Sequence, residues 1–246
     1  GDWSSDVCSS DLVPEKPNGY SLKKVEEITS KYTSDTVDPN KKRPNVIAVI
    51  NEASSDPQIL GDIETNEDYM PFIHDLMKNG NCVSGTTYAS IVGGQTANTE
   101  YEFLTGNSMA FLPKGTVAFQ LYLRHAMPSL VTELKSEGYT GNSATHLQKA
   151  RNYNRDKAYP LLGFDKFYDY TNMIVPFVKM RNNATDQCTY DNITHDYEQQ
   201  RKLTDAPYFG YTMTIQNHSS YDVPFDNFDD KRIVVERSEE HTSELQ

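Results

Sequence analysis

The segment NVIAVINEA constrains this chain more than any other. Val46 to Ile50 is an uninterrupted run of apolar, mostly β-branched residues, the pattern of a strand buried on both faces of a parallel sheet. Such a strand needs neighbours in register and helices on both faces, so it implies an α/β domain rather than an isolated hairpin or helical bundle. Glu52 lies just past its carboxyl end, where ligands bind in open α/β sheets.

The downstream segments supply those partners. The spacing of Tyr69, Phe72, Ile73, Leu76 and Met77 predicts an amphipathic helix, with Pro71 in its first turn. A glycine-containing stretch, GTTYASIVGGQT, predicts no regular element, and Gly93 and Gly94 suit a backbone that passes close to something. Thr96 is placed as the N-cap of a helix over Ala97 to Leu104, with Gly106 as its stop. Pro128 to Glu137 is a second clear helix ending at Gly138. Tyr139 to His146 and Tyr208 to Gln216 are read as strands running into His146 and His218. Strands alternating with helices predict a mostly parallel central sheet flanked by helices.

Both ends look foreign to the segment between them. RSEEHTSELQ, residues 237–246, is the translation of a common sequencing-adapter string, and WSSDVCSSDL, residues 3–12, translates the reverse complement of the same string. Residues 1–12 and 237–246 are therefore read as adapter-derived, residues 13–44 as a polar juxtamembrane-type linker with a short helical pattern at Leu22, Val25 and Ile28, and residues 45–236 as the domain. About 220 natural residues suffice for one domain of this class and not for two. Three aspartates in the first end, and one arginine against three glutamates in the second, account for five of the net negative charges, so −12 becomes −7 for the remainder. A chain this acidic is not expected to be a general nucleic-acid binder. The ends also hold the only tryptophan and Cys8, leaving Cys82 and Cys188, which are more often unrelated thiols than a pair at that separation. No run of 18 or more apolar residues occurs.

Four polar residues fall where such a sheet would place a site: Glu52, His146 and His218 after strands, and Thr96 at a helix N-terminus, which favours an anion such as phosphate. Position and residue type alone leave each of them open. Thr96 is by itself an ordinary helix cap, Glu52 a solvated loop carboxylate, the histidines satisfied loop residues, and Arg155 a surface charge paired with Asp156. Three glycosylation sequons, at Asn183, Asn192 and Asn217, are a frequent chance match.

Six segments in order, NVIAVINEA, EDYMPFIHDL, GGQTANTEYEFLTGNSMAFLP, PSLVTELKSEGY, NRDKAYPLLGFDKFYD and TMTIQNHSSY, resemble the extracellular catalytic domain of the lipoteichoic acid synthase family. These are membrane-anchored phosphoglycerol transferases of the sulfatase and alkaline phosphatase superfamily. The resemblance runs from about Arg43 to Tyr221. It implies an alkaline-phosphatase-like α/β fold whose C-terminal part lies beyond this chain. It makes Thr96 the catalytic nucleophile and a metal ligand beside Glu52, the metal being manganese or magnesium. His146 and Arg155 correspond to substrate-pocket residues, Tyr153 stands where some members have tryptophan, and His218 corresponds to the histidine that contacts glycerol phosphate. An arginine fork suits phosphate oxygens. The family's further ligands, an Asp-His pair, have no counterpart, since Asp229 and Asp230 are not followed by histidine.

The implied reaction takes glycerol phosphate from the head group of phosphatidylglycerol, through a covalent threonine intermediate, to a growing polyglycerol phosphate chain at the outer face of the cell membrane. With part of its metal shell lacking, the chain as written is expected to be inactive. A metal-dependent hydrolase of the same superfamily and a non-catalytic binding domain are the alternatives.

Overall fold

The computed structural model describes residues 14, 16–32, 38, 41–80, 82–219, 221, 223–228, 233 and 235–238. The adapter-like residues 1–12 and 239–246, and the rejected Asp229 and Asp230, lie outside the described residues. In chain order the elements are α1 (Leu22–Thr29), β1 (Val46–Ile50), β2 (Ile63–Thr65), α2 (Pro71–Lys78), α3 (Thr96–Thr105), α4 (Ala118–Leu121) and α5 (Leu130–Ser136). Next come β3 (Thr140–Thr145), α6 (Arg155–Leu161), β4 (Lys166–Tyr168), β5 (Lys179–Met180), β6 (Asn183–Ala184), α7 (Asp186–Leu203), β7 (Tyr208–Met213) and β8 (Val235–Ser238).

Four strands form one parallel sheet in the order β1-β7-β3-β4. Each return to a parallel neighbour must cross over a helix, and here α5 precedes β3, α6 joins β3 to β4, and α7 joins β4 to β7. β7 sits centrally with all six residues buried, its register running from Val46↔Phe209 to Ile50↔Met213 against β1. Successive side chains on β7 point to opposite faces. Phe209 and Tyr211 join the main core with Leu104, Phe119, Val131 and Tyr159, whereas Tyr208 faces α7, which packs on β3 and β7. At the start of β3 the register slips, and Gly141 holds φ +84° with its α-carbon against Tyr208. A Cβ there would lie 2.3 Å from that ring, so only glycine fits.

Several expectations are met closely. β1 has the bounds read from sequence, and α2 starts at Pro71 as a helix tolerates proline in its first turn. The helix expected from Pro128 to Glu137 forms as Leu130–Ser136, shorter at its start because Ser129 caps α5 in a reciprocal capping box with Thr132, leaving Pro128 outside it. β3 and β7 are each shorter than expected, ending at Thr145 and Met213. Both cysteines are free. The Asn192 sequon is unusable: the residue is fully buried, its amide donating to Thr145 Oγ1 at 3.2 Å and its carbonyl accepting from the Ile174 N–H at 2.8 Å.

Two expectations are corrected. β1 is not covered on both faces: it is an edge strand, and Ile47 and Val49 are 48% and 44% exposed, because among the described residues no element packs over that side. Thr96 is not the N-cap of α3. Gln95 takes that position in the left-handed region, φ 60°, and Thr96 is the first helical residue, its hydroxyl free for other work. α1 buries none of its residues, and among the described residues no helix is long and apolar enough to cross a membrane. β2 pairs antiparallel with β8 through Val235, Arg237 and Ser238, so this small sheet reaches into the adapter-like end.

Candidate active site

The carboxyl end of β1 delivers Glu52, whose N–H donates to Thr214 Oγ1 at 3.1 Å; that hydroxyl donates in turn to Asn51 Oδ1 at 2.9 Å. The chain after β7 thus fixes the chain after β1. Facing Glu52 is the start of α3, reached through Gly93 and Gly94, both at positive φ, and the left-handed Gln95. Buried Asn98 locks this turn: its amide donates to Gln95 Oε1 and to the Thr116 carbonyl, while its own oxygen accepts from the Ala118 N–H. The outcome is a 2.6 Å hydrogen bond from Thr96 Oγ1 to Glu52 Oε1, across 44 residues of sequence.

His146 follows β3 and is 1% exposed. Burial, reinforced by the Arg155 charge and opposed by a hydrogen bond with the Met213 carbonyl, pushes its pKa down to about 3. It is a neutral imidazole at physiological pH, with Nδ1 3.2 Å from that carbonyl as the donor and Nε2 left as an acceptor. Tyr153 and Asn154 then adopt consecutive left-handed conformations, φ 55° and 60°, before α6 begins at Arg155. The Arg155 guanidinium carbon stands 5.3 Å from the Tyr153 ring centroid, within cation–π range.

The expectation that Arg155 is by default a surface charge paired with Asp156 is overturned. Arg155 is 2% exposed and paired with Glu100, which is fully buried. Its Nε donates to the two carboxylate oxygens at 3.0 and 3.3 Å, and Nη2 also donates to Oε1. Tyr159 donates a further hydrogen bond to Oε2. Glu100 is the residue that sequence reasoning missed. The available signal was its spacing, one helical turn after Thr96, matched by Tyr159 one turn after Arg155.

His218 lies in the loop after β7, its carbonyl accepting from Arg181 Nη2 and, at 3.4 Å, from Asn183 Nδ2. All six residues singled out in the sequence, Glu52, Thr96, His146, Tyr153, Arg155 and His218, line one cleft of about 530 Å³ at the carboxyl end of the sheet. A larger hollow of about 610 Å³ against α7 contains none of them.

Glu52 and Thr96 offer two hard oxygen donors, the kind that magnesium and manganese take. The pair fits such a cation in kind but not in number, since among the described residues no cluster of three or more His, Cys, Asp or Glu ligands occurs. Any cation held here would draw the rest of its shell from water, substrate or residues outside those described.

Residues 44–239 match the sulfatase family. The chain belongs to that family. A putative cyclic β-1,2-glucan modification protein of Rhizobium meliloti is 33% identical over 208 residues, covering 84% of this chain and 30% of the relative. A lipoteichoic acid synthase of Staphylococcus saprophyticus is 30% identical over 131 residues, covering 53% and 20%. Among solved structures, a phosphoglycerol transferase of Streptococcus pyogenes in complex with sn-glycerol-1-phosphate superposes with a TM-score of 0.63 at 25% identity, covering 83% of this chain and 54% of the other. The resemblance carried by the six motifs therefore holds, and the α/β fold with its parallel sheet is shared with that transferase. The chain spans less than a third of the two curated relatives and about half of the solved one.

Proposed function

We propose that the protein carrying this domain is a phosphoglycerol transferase that uses Thr96 as its nucleophile. The observation that carries the reading is the Thr96–Glu52 hydrogen bond inside a cleft that also gathers His146, Arg155 and His218. Thr96 Oγ1 attacks phosphorus in the head group of phosphatidylglycerol, forming an O–P bond as the bond to the diacylglycerol oxygen breaks. The hydroxyl proton already lies in the hydrogen bond to Glu52 Oε1, and the departing oxygen takes up a proton. An acceptor hydroxyl then attacks the same phosphorus and releases Thr96. A divalent cation, when bound beside Glu52 and Thr96, supplies charge neutralisation and makes the hydroxyl more acidic. His146 accepts from a substrate hydroxyl, Arg155 donates, and His218 contacts the phosphate at the cleft rim. The start of α3 directs its positive end toward that anion.

Two acceptors fit this chemistry. The lipoteichoic acid synthase relative supports a polyglycerol phosphate chain, with the active site outside the cell membrane. The glucan modification relative, which covers more of the chain at higher identity, supports a glucan hydroxyl. The full-length protein, loaded with manganese or magnesium and given head-group-labelled phosphatidylglycerol, should pass label to one of these. Release of free glycerol phosphate alone would mark a hydrolase instead. Thr96→Ala should reduce turnover by at least about 1,000-fold, as loss of a nucleophile does. Undiminished turnover would overturn the assignment of Thr96.

A further inference from the structure

We propose that Glu100 is a positioning residue that sets how Arg155 meets the substrate and ties that contact to the nucleophile. The inference rests on the function proposed above.

Glu100 lies four residues after Thr96 on α3, and Arg155 opens α6. The two helices therefore meet through one buried ion pair, and both its members belong to elements that begin at the cleft. Three of the five guanidinium N–H groups are used inside the protein. Nε and one Nη2 hydrogen go to Glu100, and one Nη1 hydrogen goes to the Asn152 carbonyl at 3.3 Å. Two N–H groups remain for a ligand. The Glu100 carboxylate determines which two, because it takes the guanidinium edge in two places and fixes the plane of the fork.

The carboxylate is itself held. Tyr159, fully buried on α6, donates to Glu100 Oε2 and packs edge-on against Phe119 of α4. Glu100 is thus braced against the helix that carries Arg155, while its own helix carries Thr96. A shift of α3 relative to α6 would move nucleophile and arginine together. An ordinary structural ion pair would be satisfied anywhere along these helices; this one joins a cleft-lining arginine to the helix whose first residue, Thr96, also lines the cleft.

A charge effect would act in the opposite direction. Removing the Glu100 charge leaves Arg155 uncompensated, which by simple attraction would tighten binding of an anionic head group. If Glu100 positions Arg155, affinity falls despite the added positive charge.

The test uses the full-length protein and a double-mutant cycle of Glu100→Gln and Arg155→Gln, with labelled phosphatidylglycerol as substrate and melting temperature recorded for each variant. Glu100→Gln should lower kcat/KM by about 100-fold, the size expected when a pocket group is misplaced by roughly an ångström. Combined with Arg155→Gln it should lose no more than Arg155→Gln alone, because both remove the same contact. A crystal structure of Glu100→Gln should show the guanidinium turned from its place beside Tyr153. Losses that multiply, or a folded Glu100→Gln enzyme within threefold of the parent, would overturn the proposal. Should Glu100→Gln not fold, Tyr159→Phe removes only the brace and should raise KM several-fold with kcat held; an unchanged KM would overturn it equally. Absence of transfer by the parent protein would instead sink the proposed function, and the crystal structure would still decide the orienting role of Glu100.

Discussion

Two carboxylates are buried on opposite faces of the same sheet, and they are satisfied differently. Glu100 meets an arginine that is 2% exposed and accepts from the hydroxyl of Tyr159. Asp196 on α7 accepts from Tyr168 and Tyr208 at 2.8 and 2.9 Å, and from Lys166 Nζ at 2.9 Å, with the lysine side chain 41% exposed. The Asp196 cluster draws on Lys166 and Tyr208 at the beginning of β4 and β7 and on Tyr168 at the end of β4, and none of these residues lines the cleft. A carboxylate surrounded by hydroxyls and one half-solvated lysine serves to fasten α7 to the sheet. A carboxylate spent almost wholly on one buried arginine at the cleft serves the arginine. The difference teaches that burial and pairing alone do not mark function; what the partner does next decides it.

The sharpest separation of the two faces comes from comparing Glu100→Gln with Asp196→Asn. The first should lower both stability and turnover. The second should cost about 1–3 kcal/mol of stability, the range for leaving buried partners mismatched, while turnover by the folded protein stays close to that of the parent. Thermal melts with parallel kinetics would check this, and a matched activity loss in Asp196→Asn would erase the distinction.

Acid should undo the two faces in different pH windows. His146, on the cleft side, is buried neutral with its pKa pushed down to about 3, chiefly by burial. Its contribution is therefore complete above the unfolded value near 6.5 and is lost as pH falls toward 3, at up to about 1.4 kcal/mol per pH unit. For Asp196, burial works to raise the pKa, but hydrogen bonds from Ser143, Lys166, Tyr168 and Tyr208 outweigh it and hold the value below 3.8. Its contribution is present above that value and is lost only as pH falls through the lowered one. Urea titrations should show His146→Gln flattening the stability profile between pH 6 and pH 4; an unchanged slope would assign the loss elsewhere.

The smallest effect is expected at Lys166. Because its ammonium remains partly solvated, Lys166→Ala should cost about 1 kcal/mol or less in chemical denaturation. A cost comparable to that of Asp196→Asn would mean that the lysine, not the tyrosines, holds this cluster.

The strands β1, β3 and β7, the helix after Pro71 and the helix after Ser129 were legible because residue spacing or cap chemistry marks them, whereas the three-residue β4 was not. α7 was not, though it is 18 residues long. Its inward positions, Cys188, Thr189, Asn192, Ile193 and Asp196, have helical spacing but are largely polar, so hydrophobic periodicity passes over them. The six cleft residues could be singled out only as a set in order, since each alone has a commonplace explanation. Glu100 was hidden for a related reason: a glutamate in EYEF reads as a solvated helix face, and its partner lies 55 residues away. Its spacing, one helical turn after Thr96, was the one local sign, and it does not tell where a distant partner lies.

The left-handed residues in and beside the cleft, Ala53, Gln95, Tyr153 and Asn154, bear on how this protein would respond to laboratory selection. Each holds a conformation that glycine adopts freely and other residues resist by about 1–2 kcal/mol. A library screened for heat tolerance alone should therefore collect replacements at these positions, and lose the aromatic wall and the α3 turn in doing so. Screened for turnover as well, the same library should leave them untouched, so the divergence between the two screens would outline the cleft without any bound ligand.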